Sequence, residues 1–470
     1  MFIRMKSGTL RKMELGSFLN TLELGVNGAV HRGQSARDIH GRDESFFDLA
    51  PPDAVFTPES AEDAAKAVAL CAEAGVPVIP FGVGSGQEGG VIATHGGVSI
   101  DTSALNRILE VNTEDMECLV EAGVTRLQLE AELRSTGLFF PVDPGADASI
   151  GGMVATGASG TTAPLYGSMP ENVLALEVVL ANGSIIQTGS RARKSSSGYN
   201  LTQLFVASEG TLGLVTKIRV KLHPQPECRV ALKANFDNVR EAVSAVSMLR
   251  ASGLPLARAE LMNATLMRGI AMHNKEIFQD KHLLCLEFHA DQNGVLALVE
   301  MAKDIVVEFG GAQIEAVSRA EDLSKIWHAR HSASEAEKLL RPGAQVIVTD
   351  VCVPVSYLAE IIDMAEKKLE AASLLAPLCG HVGDGNFHYA LLVNVDDKEE
   401  LVRASEFKTW LAEMALKMGG VISGEHGIGL GKRHLMQAAH GPALCAMRAI
   451  KGALDPDGIF NPGKVFPHDS

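Results

Sequence analysis

The stretch from Pro141 to Thr162 constrains the fold more than any other part of the sequence. It reads PVDPGADASIGGMVATGASGTT and contains no Lys, Arg or Glu. Its small side chains leave the backbone bare, so N–H groups can approach a large flat or phosphorylated ligand, and Ser149, Thr156, Ser159 and Thr161 add hydroxyl groups. Tightly packed elements and flexible linkers also contain such runs, but a linker rarely carries large apolar residues among its glycines. The stretch therefore predicts a cofactor site.

Length and composition are those of a globular protein with an acidic balance. At 470 residues the chain is long enough for two or three domains. Its formal net charge of −15 argues against nucleic acid and anionic membrane surfaces as main partners. No apolar run reaches the roughly 18–20 residues that a membrane span needs. The seven cysteines are scattered without a C-x-x-C pair, which indicates a reducing compartment and excludes a ferredoxin-like iron–sulfur segment.

The basic N-terminus bears on the location of the protein. Arg4, Lys6, Arg11 and Lys12 precede the first acidic residue, Glu14, as in a transit peptide, but no clear cleavage pattern follows. We therefore expect a cytoplasmic protein of bacterial type, with a mitochondrial location open if the source is eukaryotic.

A second glycine-rich loop, residues 82–90, follows a predicted buried strand. It contains a G-x-G-x-x-G match at Gly84, Gly86 and Gly89. A dinucleotide-binding motif of the Rossmann type would require a helix directly afterwards and an acidic residue about twenty positions on. The VIATHGGVSID that follows favours strand and turn instead. We interpret the loop as a phosphate-cradling turn between strands.

Local signals predict several elements of the first half. Ser60 is the N-cap of a predicted helix that stops at Gly75. Thr125 opens a capping box for a helix predicted to end at Gly137. The Asn-Gly pair at residues 182–183 predicts a hairpin between two strands.

Changes of pattern divide the chain into four stretches. After a proline-rich break at residues 224–226, strands alternate with amphipathic helices up to about residue 415, which predicts an α+β domain with an antiparallel sheet. The C-terminal residues return to glycine turns. The predicted stretches are a weakly patterned N-terminal segment (1–50), a glycine-rich domain (51–226), the α+β domain (227–418) and a C-terminal segment that returns to the first domain (419–470).

Two histidine-bearing segments carry the sharpest chemical signal. In HVGDGNFH, His381 and His388 flank an Asp-Gly-Asn turn that folds the chain so that both rings face one point, and GEHG holds Glu425 and His426 between glycines. Two imidazoles and a carboxylate form a ligand set with open positions for a catalytic divalent ion, Zn or Mn; a hairpin with hydrogen-bonded histidines is the alternative. Arg330, in IWHARH, is either a bidentate carboxylate clamp or a solvated helix residue.

Seven segments resemble, in the same order, those of FAD-linked D-lactate dehydrogenases and glycolate oxidase FAD subunits, which are FAD proteins of the vanillyl-alcohol oxidase type. They are PFGVGSGQEGG, PVDPGADASIGGMVATGASGT, GYNLTQLFVASEGTLGLVT, TDVCVPVS, HVGDGNFH, SGEHGIG and FNPGK. The resemblance extends from Pro51 to Phe466. It implies an α+β fold with a two-lobed FAD-binding domain of the vanillyl-alcohol oxidase (PCMH) type at 51–226 and an α+β cap domain on an antiparallel sheet at 227–418.

The same resemblance implies roles for individual residues. The positions that would bind the cofactor are Phe81, Gly82, Val83, Gly84, Ser85, Gly86, Pro144, Gly145, Ser149, Gly152, Thr156, Ser159, Gly160, Glu209, Gly210, Thr211, Gly213 and Asn461. The positions that match metal ligands are His381, His388 and Glu425. By the same matching, Asn386 would contact the substrate, Arg330 would clamp its carboxylate and His426 would be the catalytic base.

Two residue pairs depart from the family pattern, and one loop bears on the mode of flavin attachment. Ser85-Gly86 stands where Thr-Ser is common, and Pro164-Leu165 stands where a Val-Arg pair is frequent. The missing Arg bears on the substrate and on the charge of its pocket, not on the fold. Covalent relatives attach the flavin to a His or Cys of the glycine loop, and residues 82–90 contain neither. We therefore expect non-covalently bound FAD.

The activity implied by the resemblance is oxidation of a D-2-hydroxy acid, D-lactate first, to the 2-oxo acid. Arg330 would pin the carboxylate, the metal would lower the pKa of the hydroxyl, His426 would take its proton, and the hydride would pass to flavin N5. A cytochrome, a quinone or an electron-transfer flavoprotein could accept the electrons.

Several alternative functions stay open at this point. One is the FAD subunit of a glycolate oxidase complex, and another is a dehydrogenase of a different D-2-hydroxy acid such as D-2-hydroxyglutarate. A non-enzymatic FAD-binding protein is disfavoured by the histidine–glutamate set, and a sugar- or lactone-oxidising relative is disfavoured by HVGDGNFH. A homodimer and an assembly with partner subunits are both open.

Overall fold

The computed structural model describes residues 14–274 and 280–467, so the basic residues at positions 4–12 lie outside the described part. The α-helices are α1 (Leu15–Gly25), α2 (Gln34–Ile39), α3 (Ala61–Ala74), α4 (Arg126–Leu133), α5 (Ile150–Thr156), α6 (Ala163–Tyr166), α7 (Met169–Asn172), α8 (Leu201–Phe205), α9 (Val239–Ala251), α10 (Ala264–Asn274), α11 (Gln292–Glu308), α12 (Ala320–His331), α13 (Ala333–Leu340), α14 (Val355–Ala371), α15 (Lys398–Lys417), α16 (Met436–His440) and α17 (Ala443–Leu454). Among these residues, no helix combines the length and the apolar character that crossing a membrane requires.

The strands follow the same chain order. They are β1 (Gly28–His31), β2 (Ala54–Pro58), β3 (Val78–Phe81), β4 (Val98–Asp101), β5 (Ile108–Asn112), β6 (Glu117–Glu121), β7 (Leu138–Phe139), β8 (Val173–Val179), β9 (Ile185–Gly189), β10 (Leu214–Lys221), β11 (His223–Pro224), β12 (Cys228–Phe236), β13 (Leu256–Met262), β14 (His282–Ala290), β15 (Ala312–Val317), β16 (Gln345–Val348), β17 (Val351–Cys352), β18 (Leu378–His381) and β19 (Asn386–Val393).

The chain forms two compact units. Among the described residues, unit 1 comprises 14–158, 168–224 and 425–467, and unit 2 comprises 159–167, 225–274 and 280–424. The chain therefore leaves unit 1 once for a nine-residue excursion, leaves it again at the proline-rich break, and returns after Gly424.

Unit 1 contains two principal sheets. The first has the order β1-β2-β4-β3, in which β2, β4 and β3 are parallel. The second has the order β5-β6-β10-β8-β9 and is antiparallel throughout. Its β8–β9 hairpin turns at the predicted Asn-Gly pair, since Val179 pairs with Ile185. The division into two sheets agrees with the two-lobed domain that the resemblance implies.

The first sheet of unit 1 packs against α3, whose two ends were predicted correctly. Ser60 accepts a hydrogen bond from the Asp63 N–H at 3.1 Å and begins α3, and Gly75 ends it with φ at +65°. Phe18 and Leu22 of α1 are buried in the same core.

The C-terminal residues of unit 1 extend this parallel sheet. The N–H of Val78 donates to the carbonyl of Ile459, and the N–H of Asn461 donates back to Val78, both at 2.8 Å. Phe460 is fully buried in the core of α1 and α3. The return of the glycine-turn segment to the first sheet thus rests on backbone pairing and apolar burial.

Two helices of unit 1 differ from the predictions. The glycine stretch contains a helix, α5, capped by Ser149 and ended by Gly157 at φ +65°. Glycine has low helix propensity, but burial of Met153 and its neighbours stabilises this turn of helix. The helix opened by Thr125 ends at Leu133 rather than Gly137, because the chain passes there into a tight turn.

Unit 2 is an α+β structure on one antiparallel sheet of order β15-β12-β14-β13-β18-β19-β16, with β17 also paired to β19. This confirms the predicted architecture. The segment that pairs with β19 is interrupted between β16 and β17. The reason is local, because the Thr349 hydroxyl accepts the Tyr389 N–H at 2.8 Å.

Candidate active site

Glycine-rich loops of unit 1 pack so closely together that two of their glycines have no room for a side chain. A Cβ atom at Gly82 would lie 2.4 Å from Oγ of Ser149, which is the N-cap of α5. A Cβ atom at Gly210 would lie 2.8 Å from the Pro80 ring, and Gly210 has φ at +65°. Both positions therefore exclude a side chain. Three of the segments predicted to bind the cofactor are in this way brought together within one unit.

Asn461 ties these loops to the C-terminal segment. Its Nδ2 donates to the carbonyls of Gly90 at 2.9 Å and Glu209 at 2.8 Å, and its Oδ1 accepts from Lys464 at 3.3 Å. Ala207, Glu209 and Asn461 all have positive φ, which costs about 1–3 kcal/mol per non-glycine residue and concentrates at ligand sites. The loops are thus held in a strained arrangement by side-chain bonds from a distant segment.

The loop after β3 has the properties of an anion cradle. The N–H groups of residues 83–87 donate no hydrogen bond to any residue within 14–274 or 280–467. Gly84 has φ at +72°, and the side-chain oxygen of Gln87 is buried without a partner in the same described ranges. Successive unbonded N–H groups on bare backbone suit a phosphorylated cofactor.

The side chain of Glu209 connects one predicted cofactor loop to the C-terminal segment. Its two carboxylate oxygens accept from the backbone N–H groups of Ile428 at 2.7 Å and Gly429 at 2.8 Å. Burial raises the pKa of Glu209 to about 7, although these two hydrogen bonds act to lower it. The side chain therefore anchors the loop that carries His426.

The other predicted cofactor residues fall into three groups. In the first group, the side chain or the space for one is occupied by a contact within the protein. The Thr156 hydroxyl donates to the Gly152 carbonyl, the Thr211 hydroxyl donates to the Ser208 carbonyl, and a Cβ atom at Gly213 would touch β8. The second group consists of partly or fully exposed residues: Val83, Ser85, Gly86, Pro144 and Gly145. Phe81 is buried in β3, and Ser159 and Gly160 belong to unit 2.

In unit 2, the hairpin of β18 and β19 places His381 and His388 together. Their ring centroids are 5.6 Å apart and the rings are nearly perpendicular, and a ring nitrogen of one lies within 4.8 Å of a ring nitrogen of the other. His381 Nδ1 donates to Glu260 at 2.6 Å, and His388 Nδ1 donates to the Thr349 carbonyl at 3.1 Å. Since Nδ1 carries the proton in both rings, Nε2 carries the lone pair that a metal ion requires.

Glu260, which the sequence analysis missed, connects His381 to Arg330. It is fully buried on β13, and its second oxygen accepts from Arg330 Nε at 2.7 Å. Burial acts to raise the pKa of Glu260, but His381 and Arg330 together hold it below its usual value. A charged residue inside the apolar strand LARAELM was the available signal, because buried glutamates are almost always paired.

Asp350 was also missed, and it organises the neighbouring polar groups of unit 2. It accepts from Asn386 Nδ2 at 2.8 Å and from the hydroxyl of Ser423 at 2.6 Å, and its carboxylate lies 3.8 Å from His388 Nδ1. It also accepts from the N–H of Gly424 at 2.9 Å. The buried Oδ1 of Asn386 has no hydrogen-bond partner within the described residues, so it is available to a ligand.

Glu425 and His426 follow directly after Gly424 and belong to unit 1. Their carboxylate oxygen and Nε2 are 3.8 Å apart, and both side chains are mostly buried. The glycine after them, Gly427, has φ at +81° and lies against the Glu209 carboxylate. The Glu209 anchor therefore fixes the backbone on the C-terminal side of this pair.

A second histidine–carboxylate pair on the unit 2 sheet was not predicted either. The Tyr166 hydroxyl donates to His289 Nδ1 at 2.7 Å, and His289 Nε2 donates to Glu287 at 2.6 Å. Trp327 of α12 donates its indole N–H to the other oxygen of Glu287. Glu260 and Glu287 lie on neighbouring strands and have the same arrangement. Each is a buried carboxylate that accepts from a histidine and from a residue of α12.

Comparisons with known proteins place these features in a family. A family profile described as "FAD binding domain" matches residues 52–189, and one described as "FAD linked oxidases, C-terminal domain" matches residues 225–465. The chain is 44% identical to a probable mitochondrial D-lactate dehydrogenase of Danio rerio, over 93% of this chain and 89% of the relative. It is 38% identical to the mitochondrial D-lactate dehydrogenase [cytochrome] of Arabidopsis thaliana, over 92% of this chain and 76% of the relative.

Two further comparisons extend this picture. The chain is 33% identical to the glycolate oxidase subunit GlcD of Bacillus subtilis, over 92% of this chain and 93% of the relative. Among solved structures, p-cresol methylhydroxylase with substrate bound has a TM-score of 0.78 at 19% identity, covering 97% of this chain and 98% of that one. This likeness concerns the fold, which is of the PCMH type that the resemblance implies.

Proposed function

Because this chain belongs to the FAD-linked oxidase family that includes FAD-linked D-lactate dehydrogenases and glycolate oxidase FAD subunits, we propose that it is an FAD-dependent D-2-hydroxy-acid dehydrogenase. D-Lactate is the first candidate substrate, since the relatives at 44% and 38% identity are named for it. The observation that carries the proposal is the polar cluster of unit 2. There, two histidines with fixed tautomers lie together, and one of them, His381, shares a buried carboxylate with an arginine suited to a substrate carboxylate.

The bare loops of unit 1 fit FAD. Residues 83–87 would offer their backbone N–H groups to the pyrophosphate. The strained loop at Glu209–Gly210 and the Asn461 side chain would fix the opposite side of the cradle. No His or Cys stands in residues 82–90, which supports dissociable cofactor. When bound, FAD supplies the acceptor for the hydrogen and electron pair at the substrate C2.

His381 and His388 would hold a divalent cation through Nε2, with Glu425 as the third ligand. Glu425 enters this set because it matches, in GEHG, a metal-ligand position of the family. Two imidazoles and one carboxylate suit Zn or Mn and leave positions open. A cation held there lowers the pKa of a substrate hydroxyl.

The remaining roles fall to Arg330, Asn386 and His426. The guanidinium of Arg330 is held through Nε by Glu260, and a guanidinium held in one plane suits bidentate binding of a substrate carboxylate. The buried Oδ1 of Asn386 can accept the substrate hydroxyl. His426, next to Glu425 and fixed by the Glu209 anchor, would take the hydroxyl proton as general base.

For the electron acceptor, we propose only a chemical class. One relative is named for a cytochrome, so we propose an electron-carrier protein, with a quinone as the alternative. The mitochondrial names of two relatives make a mitochondrial location the one to test first.

A substrate panel with a dye acceptor tests the proposal. FAD-loaded protein is assayed with D-lactate, L-lactate, glycolate, D-2-hydroxyglutarate and longer D-2-hydroxy acids, and the same sample is analysed for metal. We expect turnover of D-lactate above the other acids, with one divalent ion per chain. Protein that takes up no FAD, or that oxidises L-lactate in preference to D-lactate, would contradict the proposal.

A glycolate oxidase subunit is the second candidate, because the Bacillus subtilis relative matches over nearly its whole length. The same panel separates the two functions. A glycolate oxidase subunit should prefer glycolate and should need partner chains for full turnover. A D-lactate dehydrogenase should be active as the isolated chain with the dye.

A further inference from the structure

One buried carboxylate in unit 2 serves two groups of the proposed reaction. Glu260 is 0% exposed. Its Oε1 accepts from His381 Nδ1 at 2.6 Å, and its Oε2 accepts from Arg330 Nε at 2.7 Å. His381 is a proposed metal ligand, and Arg330 is the proposed clamp for the substrate carboxylate. The same side chain therefore touches both.

The bond to His381 controls a metal ligand. A carboxylate that accepts from Nδ1–H fixes the imidazole tautomer with its lone pair on Nε2, fixes the ring orientation and raises the basicity of the ligand. Glu260 and His381 are directly opposite each other on β13 and β18, so their side chains stand on one face of the sheet. The pair is held by strand register as well as by the hydrogen bond.

The hydrogen bond from Arg330 to Glu260 fixes the orientation of the guanidinium that is proposed to bind the substrate carboxylate. A guanidinium is planar, so fixing Nε fixes the plane in which the two terminal nitrogens lie. Arg330 is in the last turn of α12, and Trp327, one turn earlier on the same helix, donates to Glu287 of β14. Two anchors therefore set the rotation of α12 on the sheet.

We propose that Glu260 is a positioning residue that couples metal affinity to recognition of the substrate carboxylate. This inference rests on the proposed function. Because His381 and Arg330 share one carboxylate, loss of that charge weakens the ligand and frees the clamp together. Binding of the metal and binding of the substrate are then linked through Glu260, and such coupling is reciprocal.

Glu287 provides a matched control. It is 1% exposed, lies one strand away on the same sheet, and also bridges a histidine and a donor of α12. Its hydrogen bonds come from His289 and Trp327, so Glu287→Gln removes an equivalent buried charge that serves a different histidine.

The test uses full-length, FAD-loaded wild type, Glu260→Gln and Glu287→Gln, stripped with a chelator and titrated separately with Zn²⁺ and Mn²⁺ by calorimetry. Flavin content is measured on each sample. We expect Glu260→Gln to retain FAD, to weaken metal binding about 10- to 100-fold, and to raise KM for D-lactate at saturating metal. Glu287→Gln should keep wild-type metal affinity.

The possible outcomes distinguish failure of the proposed ligand set from failure of the inference about Glu260. Wild-type protein that binds FAD but no metal would overturn the proposed ligand set and this inference together. Wild type that binds metal, with unchanged affinity in Glu260→Gln, would overturn the inference alone, as would equal losses in the two variants. If Glu260→Gln does not take up FAD, the Arg330→Gln variant is used instead. Arg330 and His381 share the Glu260 carboxylate, so removing the charge of Arg330 should tighten metal binding. Unchanged metal affinity in Arg330→Gln would overturn the coupling.

Discussion

Replacing Glu209 with Ala should release the loop that carries His426 without removing any residue of the proposed ligand or substrate set. The carboxylate accepts from two backbone N–H groups, of Ile428 and Gly429, at 2.7 and 2.8 Å. Asn461 bonds to the carbonyl of Glu209 and not to its side chain, so the cofactor loops keep that contact in the variant.

The size of the effect follows from these two bonds. A buried donor left without its acceptor costs about 1–3 kcal/mol, so two donors cost about 2–6 kcal/mol locally. Local opening of the loop should then be at least ~30-fold more frequent, because 1–2 kcal/mol already changes an equilibrium 5- to 30-fold. Amide hydrogen exchange measures this opening at individual residues.

The assay is hydrogen exchange of residues 425–431 in FAD-loaded protein, together with kcat for D-lactate. We expect the Ile428 and Gly429 amides to lose protection and kcat to fall more than FAD content. Glu413→Ala, on an exposed face of α15, is the control and should change neither. Unchanged protection of both amides in Glu209→Ala would refute the anchoring role of Glu209.

Three further predictions concern the cofactor, the metal and acid stability. Gly82→Val should abolish FAD binding, measured by flavin absorbance after reconstitution, because a Cβ there would lie 2.4 Å from Ser149 Oγ. His388→Ala should remove bound metal, measured by elemental analysis, while the flavin stays bound, because His388 lies on β19 and its Nδ1 donates to the Thr349 carbonyl of the same unit. His223→Gln should flatten the loss of stability in acid, measured by thermal unfolding from pH 7 to 4. Burial, with nearby Lys221, lowers the pKa of His223 from 6.5 to about 4. The unfolded chain therefore binds the proton first, and stability falls as pH drops through this window by at most about 1.4 kcal/mol per unit.

Controls for these three predictions come from the same chain. Gly452→Val, where no atom lies within 4 Å of the added Cβ, should bind FAD. His328→Ala, at an exposed position of α12, should keep its metal. His440→Gln, also exposed, should leave the acid slope unchanged. Loss of FAD in Gly452→Val, metal-free His328→Ala or an unaltered slope in His223→Gln would each contradict the corresponding reasoning.

Features set by neighbouring residues were predictable from the sequence. The caps of α3, the Asn-Gly hairpin of β8 and β9, and the facing rings of His381 and His388 all follow from residues a few positions apart. The helix α5 escaped prediction because its stability comes from burial, not propensity. Gly151, inside α5, lies so close to Ala122 of another segment that a Cβ would be 2.7 Å away.

The supporting residues of the site were not predictable for the same reason. Glu260 reaches His381 across 121 positions, and Glu209 reaches Ile428 across 219. Neither partner can be inferred from local pattern, since the contact depends on strand order or on a loop returning from the C-terminus. The residues proposed to bear the chemistry carried signatures in the sequence, whereas the residues that position them became visible only in the fold.

The most direct measurement mixes FAD-loaded protein with D-lactate in the absence of oxygen and follows the visible flavin absorbance. The account predicts that D-lactate bleaches the bound flavin, that L-lactate does not, and that His426→Ala slows bleaching about 10²- to 10⁴-fold with FAD still bound. Flavin that stays oxidised with every D-2-hydroxy acid tried, or His426→Ala that bleaches at the wild-type rate, would contradict it.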